Sequence, residues 1–292
     1  MPDLLLGATA GSGASIFATV TTDLVAEVQR RHDLSPTVTA AVGRLVTGAV
    51  LFGASLALRE RISLRISGDG PIGTLAADAW LLDDRTVGAR GYARNGRAEL
   101  PIDARGKFDV AGAIGDGLLQ VTKSFEVGQP YVGVVPLHSR EIAEDLAAYL
   151  AKSEQVPSVV ALGVLANPKG VVAAGGVLAQ VLPGAGESAI ADLEKRARAM
   201  PAVTKLIAER EDARHLLHQL SGDVELRSQR EMDVRFACLC TKQKVEAVLR
   251  GLGRSELESM NRERDETEAI CEFCGRRYVF TRDEIEALIT SV

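Results

Sequence analysis

No cysteine occurs in the first 237 residues of this chain; all four lie in its last fifth, at positions 238, 240, 271 and 274. An export signal is missing as well, since Met1-Pro2-Asp3-Leu4 lacks a basic start and the glycines that follow interrupt any apolar run. Cysteines clustered for metal in a chain without such a signal point to a reducing cytosol, and a cytoplasmic protein is expected. Basic clusters are absent too. The net charge is −5, and even residues 233–292 carry 10 basic against 12 acidic side chains. Nucleic-acid binding needs clustered Lys and Arg to release counterions from phosphate, so no nucleic-acid partner is expected. There is no Gly-x-Ser-x-Gly elbow and no His-x-x-x-His pair, so no catalytic constellation is expected and the chain is not read as an enzyme. The apolar run Thr37 to Leu58 has the length of a membrane span but no companion, and Gly43, Gly48 and Gly53 thin it. It reads as a buried helix, not as a membrane contact.

What is there is a chain of 292 residues, 46% hydrophobic and 25% charged, with room for a domain of ordinary size and a smaller one. The cysteines form two arms, Phe236-Ala237-Cys238-Leu239-Cys240 and Cys271-Glu272-Phe273-Cys274-Gly275. Two paired arms at this separation suit one tetrahedral Zn²⁺ held by four thiolates. Gly275 allows the positive φ that turns backbone N–H groups toward sulfur. A C-x-C arm is unusual for a purely structural ribbon, and that oddity invites a redox reading. Arg235, Lys242, Lys244, Arg276 and Arg277 flank the cysteines and would favour ionised, nucleophilic sulfur. The same cations would also balance the charge of a plain structural site, so a bracing zinc ribbon stands beside the redox reading.

Along the chain, residues 7–15 superficially resemble a phosphate loop, but the required lysine is missing, and a flexible leading segment is expected. Ser15 to Thr21 reads as a strand and Asp23 to Arg31 as a helix. Ser35-Pro36 then caps and opens the apolar helix, with His32 in the break before it. Ile62, Leu64 and Ile66 alternate with polar residues, which predicts a strand over 61–67. Gly68-Asp69-Gly70-Pro71-Ile72-Gly73 matches a dinucleotide fingerprint by letter. A strand follows it where that fingerprint needs a helix, so it predicts a hairpin turn. Further strands are expected over 89–94, 117–125 and 131–137, a helix capped by Ser139, and a hairpin of 159–165 and 171–182 around Asn167-Pro168-Lys169-Gly170. This order predicts an α+β fold, with an N-terminal mixed domain built on a mainly antiparallel sheet. Pro183-Gly184-Ala185-Gly186 marks a boundary, so the expected domains are 1–183, a helical linker over 184–232, and a small zinc-binding domain over 233–292. In the linker Ile190, Leu193, Ala197, Met200, Val203, Leu206, Ile207, Leu216, Leu217 and Leu220 fall at helical spacing. That stripe must lie on something, and the first domain is the expected partner. His215 and His218 read as solvated or packing residues.

These residues resemble those of the redox-regulated heat-shock chaperone family of bacteria, the thirty-three kilodalton holdase. The resemblance runs through Asp233-Val234-Arg235-Phe236-Ala237-Cys238-Leu239-Cys240, Leu252-Gly253, Glu256-Leu257, Cys271-Glu272-Phe273-Cys274 and Tyr278-Val279-Phe280. Upstream it takes in His32-Asp33-Leu34-Ser35-Pro36, Gly43-Arg44, Gly68-Asp69-Gly70-Pro71, Arg90-Gly91-Tyr92 and Tyr149 with Ser153-Glu154-Gln155. Glu263 to Ala269 is a charged insert that does not align in detail. The resemblance implies a stress-activated, ATP-independent molecular chaperone that binds unfolding clients, prevents their aggregation and holds them for refolding. It implies one Zn²⁺ per chain on Cys238, Cys240, Cys271 and Cys274 in the reduced, inactive state. On oxidation it implies disulfides Cys238 with Cys240 and Cys271 with Cys274, loss of zinc, loss of order in the small domain and linker, and a homodimer.

Simple energetics agree with that order of events. A segment the size of 233–292 gains only ~3–5 kcal/mol from its own core, whereas a structural zinc contributes roughly 10–16 kcal/mol. Sulfurs tied into disulfides are no longer thiolate donors, so oxidation is expected to disorder the segment and free the apolar surface that the linker covers.

Overall fold

The computed structural model describes residues 2–291 except 12, 104, 105, 168, 210 and 211. Its contacts separate two units, Met1–Ala237 and Cys238–Val292. In the first, a hairpin of β1 (Leu4–Ala10) and β2 (Ala14–Val20) leads to α1 (Thr22–His32) and α2 (Pro36–Phe52). Then come β3 (Arg61–Gly68), β4 (Thr74–Asp83), β5 (Thr86–Ala93), α3 (Val110–Ile114), β6 (Gly117–Ser124) and β7 (Tyr131–Pro136). Next are α4 (Ile142–Lys152), β8 (Ser158–Asn167), β9 (Gly170–Val181), α5 (Glu187–Ala199), α6 (Val203–Ala208), α7 (Ala213–Ser221) and β10 (Leu226–Phe236). The strands form one ten-stranded sheet in the order β7-β6-β3-β4-β5-β10-β1-β2-β9-β8. Its described pairings are antiparallel apart from β10 on β5, so the predicted α+β class with a mainly antiparallel sheet is what the protein adopts.

Neighbouring residues of a strand point to opposite faces, and here they feed two separate cores. Leu5, Ala174 and Leu178 join the larger core around α1, α2 and α4. Leu6, Ala173, Val177 and Ala179 join a second core with Leu193, Val203, Leu206, Ile207, Leu216, Leu217 and Leu220 of α5–α7. The apolar stripe of residues 184–232 therefore does lie on the sheet, with Ala197 and Met200 packed at its margin and Ile190 half-buried.

Helix α2 begins as its sequence predicts, with Ser35 Oγ accepting from the Val38 amide at 3.3 Å and proline in the first turn. It passes a length-and-hydropathy test for a membrane span, yet 94% of its apolar window is buried inside the fold. Its glycines explain why it can sit so deep. A Cβ on Gly43 would stand 2.6 Å from Val25 Cγ1 and 2.9 Å from Val164 Cγ2, so α1 and β8 approach the bare helix backbone. Overpacking of this kind costs about 1–3 kcal/mol. Gly43→Val should lower the urea midpoint accordingly, and an unchanged midpoint would refute the close-approach argument.

Four expectations need correction. Residues 7–15 are not a flexible leader. They form the end of β1, the turn and the start of β2, with Gly11 donating to Glu225 O at 2.9 Å and Gly13 at φ 93° turning the chain; residue 12 lies outside the described residues. Ser139 does not cap α4. Glu141 holds the N-cap position without a side-chain bond, and Ser139 Oγ accepts from the Glu141 amide at 3.1 Å. His32 is the last residue of α1, not a loop residue. Finally, the compact second unit begins at Cys238, and residues 184–237 pack as part of the first, with β10 running across the expected 232/233 boundary. The predicted turn at 167–170 joins β8 to β9, although its Pro168 is outside the described residues.

The second unit consists of α8 (Lys242–Arg250), α9 (Arg254–Glu263), a hairpin of β11 (Glu266–Ile270) and β12 (Arg277–Thr281), and α10 (Arg282–Thr290). The charged stretch 263–269 thus supplies the end of α9 and most of β11. Thr281 and Glu284 form a reciprocal capping box at the start of α10. The core is small: Leu249, Leu257, Tyr278, Phe280, Ile285, Leu288 and Ile289.

Candidate metal centre

Two backbone devices bring the cysteines together. Cys238 and Cys240 precede α8, whose first turn is capped by Thr241 Oγ1 accepting from the Lys244 amide at 3.2 Å. Cys271 and Cys274 sit in the turn between β11 and β12. There the Cys271 amide donates to Arg276 O at 3.0 Å and the Gly275 amide to Cys271 O at 2.8 Å. Gly275 has φ 69°, the left-handed conformation read from the sequence. Lys242 pairs with Glu284 and lies 5.0 Å from the Phe280 ring centroid, tying the start of α8 to the start of α10.

The four Sγ atoms all lie within 4.8 Å of one another. Cys238 to Cys271 is 3.8 Å and Cys240 to Cys274 is 3.4 Å. A tetrahedron with ~2.3 Å zinc–sulfur arms has edges of about 3.8 Å, so the donor set matches a four-thiolate metal site in number, chemistry and spacing. The electrostatics match as well. Burial pushes the Cys271 and Cys274 thiols up, while the backbone amides of Phe273 and Cys274 pull Cys271 down and that of Arg276 pulls Cys274 down. These amides favour ionised sulfur, and a bound divalent ion would reverse the burial penalty.

The flanking cations divide. Arg276 has its charge set against Cys240 and Cys274. Lys244 Nζ donates to Leu239 O at 2.8 Å, Arg277 pairs with Glu268, and Arg235 lies on β10 in the first unit. Sequence reasoning assigned no role to Tyr278, whose hydroxyl donates to Cys240 Sγ at 3.1 Å. The signal for it was its place two residues after Arg276 at the foot of the metal turn. His215 and His218 remain outside any site of this kind: the His215 ring meets Gln219 at 2.8 Å and its amide caps on Asp212 at 3.0 Å, while His218 lines a cavity beside β10.

A ten-stranded sheet with helices on both faces, followed by a small unit gathered around four cysteine sulfurs, defines a two-unit protein whose tail carries four cysteines that could hold a metal ion. The comparisons with known proteins fall in the same place. The family model described as Hsp33 protein matches residues 3–281. The 33 kDa chaperonins of Bacillus cytotoxicus and Acetivibrio thermocellus are each 37% identical, covering 100% and 99% of this chain and 100% and 97% of their own. The crystal structure of the 33 kDa chaperonin (heat shock protein 33 homolog) from Thermotoga maritima superposes with a TM-score of 0.90 at 35% identity, covering 100% of this chain and 99% of that one. The chain belongs to the Hsp33 family of chaperones.

Proposed function

We propose that this protein is a redox-regulated, ATP-independent holdase, with no enzymatic activity, that works in the cytoplasm on unfolding client proteins and needs neither nucleic acid nor membrane. In the reduced, inactive state Cys238, Cys240, Cys271 and Cys274 would hold one Zn²⁺, which when bound supplies the cross-link that a small core lacks. The observation that carries this reading is the convergence of four sulfurs within 4.8 Å in a unit with only seven buried core side chains of its own.

Oxidation is balanced by peroxide. Each pair of thiolates gives two electrons to one H₂O₂, which takes two protons from solvent, forming one S–S bond and two waters, so two pairs consume two peroxides and four protons. The proposed pairs are Cys238 with Cys240 and Cys271 with Cys274, although cross-arm approaches of 3.4 and 3.8 Å also occur. All six separations are short enough for either outcome, and peptide mapping reads the pairing directly. With their charge consumed, the sulfurs no longer hold an ion, and residues 238–292 lose order.

The route from that unit to the apolar surface is set by chain connectivity. Helices α5–α7 are tethered by β9 on one side and β10 on the other. The β10–β5 pairing covers only Asp233–Phe236 and ends with the Ala237 amide on Ala89 O at 3.0 Å, immediately before Cys238. The β10–β1 ladder is interrupted between Gly7 and Thr9, beside a cavity of ≈ 640 Å³ lined by Leu6, Leu217, Leu226 and Arg230 among others. Strand β10 is thus the element through which disorder in the tail reaches α5–α7 and uncovers the second core for clients, with the active form a homodimer.

Peroxide treatment tests this reading. It should release about one zinc per chain to a chromogenic chelator, raise hydrogen exchange in 226–237, and convert the protein into a suppressor of aggregation of a chemically unfolded client. Equal suppression by reduced and oxidised protein, or none by either, would leave the cysteines as a bracing ribbon only.

A further inference from the structure

The turn amides that face Cys271 and Cys274 are backbone, but the donor at Cys240 is a side chain. The Tyr278 hydroxyl donates to Cys240 Sγ at 3.1 Å from a ring that is 8% exposed within the small core. The Arg276 charge bears on that same hydroxyl and on Cys240 and Cys274. The three groups are coupled: a nearby cation polarises the phenol, and the phenol O–H donates to sulfur. A hydrogen bond polarised from behind by a charge is stronger than either link alone. Position accounts for the pattern: Arg276 is the last residue before β12 and Tyr278 is the second residue of that strand, whereas Arg277 between them turns to Glu268.

We propose that Tyr278, backed by Arg276, is the positioning residue that holds the Cys240 sulfur in place as a metal ligand and restrains its oxidation. The proposal rests on the reading of the four cysteines as a zinc site. A sulfur in a C-x-C arm shares a short segment with its partner and has little backbone to orient it, so an external donor has a task there that the C-x-x-C turn performs with its own amides. A lone pair engaged by the phenol is also not offered to peroxide. Partners of this outer kind are worth 10–100-fold in metal affinity when removed.

Tyr278→Phe removes the hydroxyl and keeps the ring in the core. Competition with a chromogenic chelator on the full reduced chain should give a zinc Kd raised about 10-fold or more, with the zinc-loaded circular dichroism unchanged. Peptide mapping during peroxide treatment should find Cys240 oxidised faster relative to Cys271 and Cys274 than in the wild type. Arg276→Gln should weaken zinc binding by less, and by less still in a Tyr278→Phe background, where only its direct charge on the sulfurs remains. In a Cys240→Ser background Tyr278→Phe should also have no effect, which a general loosening of the core would not produce. A Kd within twofold of wild type, or full additivity of the two substitutions, would overturn the coupling while leaving the zinc site standing. A wild-type chain that takes up no zinc at all would remove both.

Discussion

Chelating the metal from the reduced protein is expected to unfold residues 238–292 and to loosen β10 and α5–α7 with them, while the larger core around α1, α2 and α4 stays intact. The second unit has one small core, seven buried side chains on three helices and a two-stranded hairpin. A core of that size contributes ~3–5 kcal/mol, against roughly 10–16 kcal/mol for a structural zinc, so loss of the ion exceeds everything else that holds the unit. Capping of α10 and the Lys242–Glu284 pair do not alter that balance, since caps are worth about 1 kcal/mol and exposed ion pairs less. The first unit has its own two cores and contains none of the sulfurs. Limited proteolysis with mass mapping should therefore cut first within 238–292 after chelation and then within 184–237, while a fragment ending near 183 persists. Cys271→Ser should give the same pattern without a chelator. A metal-stripped tail that stays protease-resistant would refute the claim that four sulfurs hold it together, and the redox reading would fall with it.

Leu216→Asp should produce a chaperone that needs no oxidant. Leu216 is 0% exposed on α7, within the second core formed by β1, β2, β9 and α5–α7. A carboxylate buried there without a partner costs about 3–5 kcal/mol, enough to undock helices whose other anchors are few. Arg196 Nη1 on the Leu220 and Ser221 carbonyls, at 3.3 and 2.5 Å, is the main polar link between α5 and α7. The larger core around α2 is on the opposite face and keeps its packing. The reduced variant should thus retain zinc and a cooperative thermal transition, bind a hydrophobic dye, and suppress client aggregation before any peroxide is added. Leu193→Asp on α5, nearer the edge of the same core, is the milder companion should Leu216→Asp fail to fold. If either variant folds with α5–α7 released by proteolytic criteria and still leaves aggregation unchanged, the surface beneath those helices is not where clients bind.

Much of this architecture was readable because local rules and tertiary demands agree. Ser35 and Pro36 open α2 as caps do anywhere, and the alternation of Ile62, Leu64 and Ile66 became β3 with those three side chains buried at 0–1%. Where the two disagree, the chain was misread. Residues 7–15 look loose because glycine and small residues lack local preference. The neighbouring strand supplies the order, as when Gly7 leaves room for the Phe17 ring, which a Cβ would meet at 2.8 Å. Helix α1 is held at its start by Asp3, whose carboxylate accepts the Asp23 and Leu24 amides at 3.0 and 2.6 Å, a cap twenty residues upstream that no local pattern displays. Strand β10 was hidden by its charges. Among its described side chains only Met232 and Val234 are buried, so its hydrophobic pattern is thin, and its place in the middle of the sheet comes from backbone pairing on both sides.

The amino-acid sequence by itself determined which atoms could hold a metal, since sulfur spacing within each arm is a matter of a few covalent bonds, and it determined the helical periodicity of the segment that covers the sheet. Tertiary structure alone decided that β10 joins that segment to the cysteine unit from the centre of the sheet, and that the Tyr278 hydroxyl reaches Cys240. Both depend on groups brought together from distant positions, and the entropy of closing such long loops is recovered only when the whole core has formed.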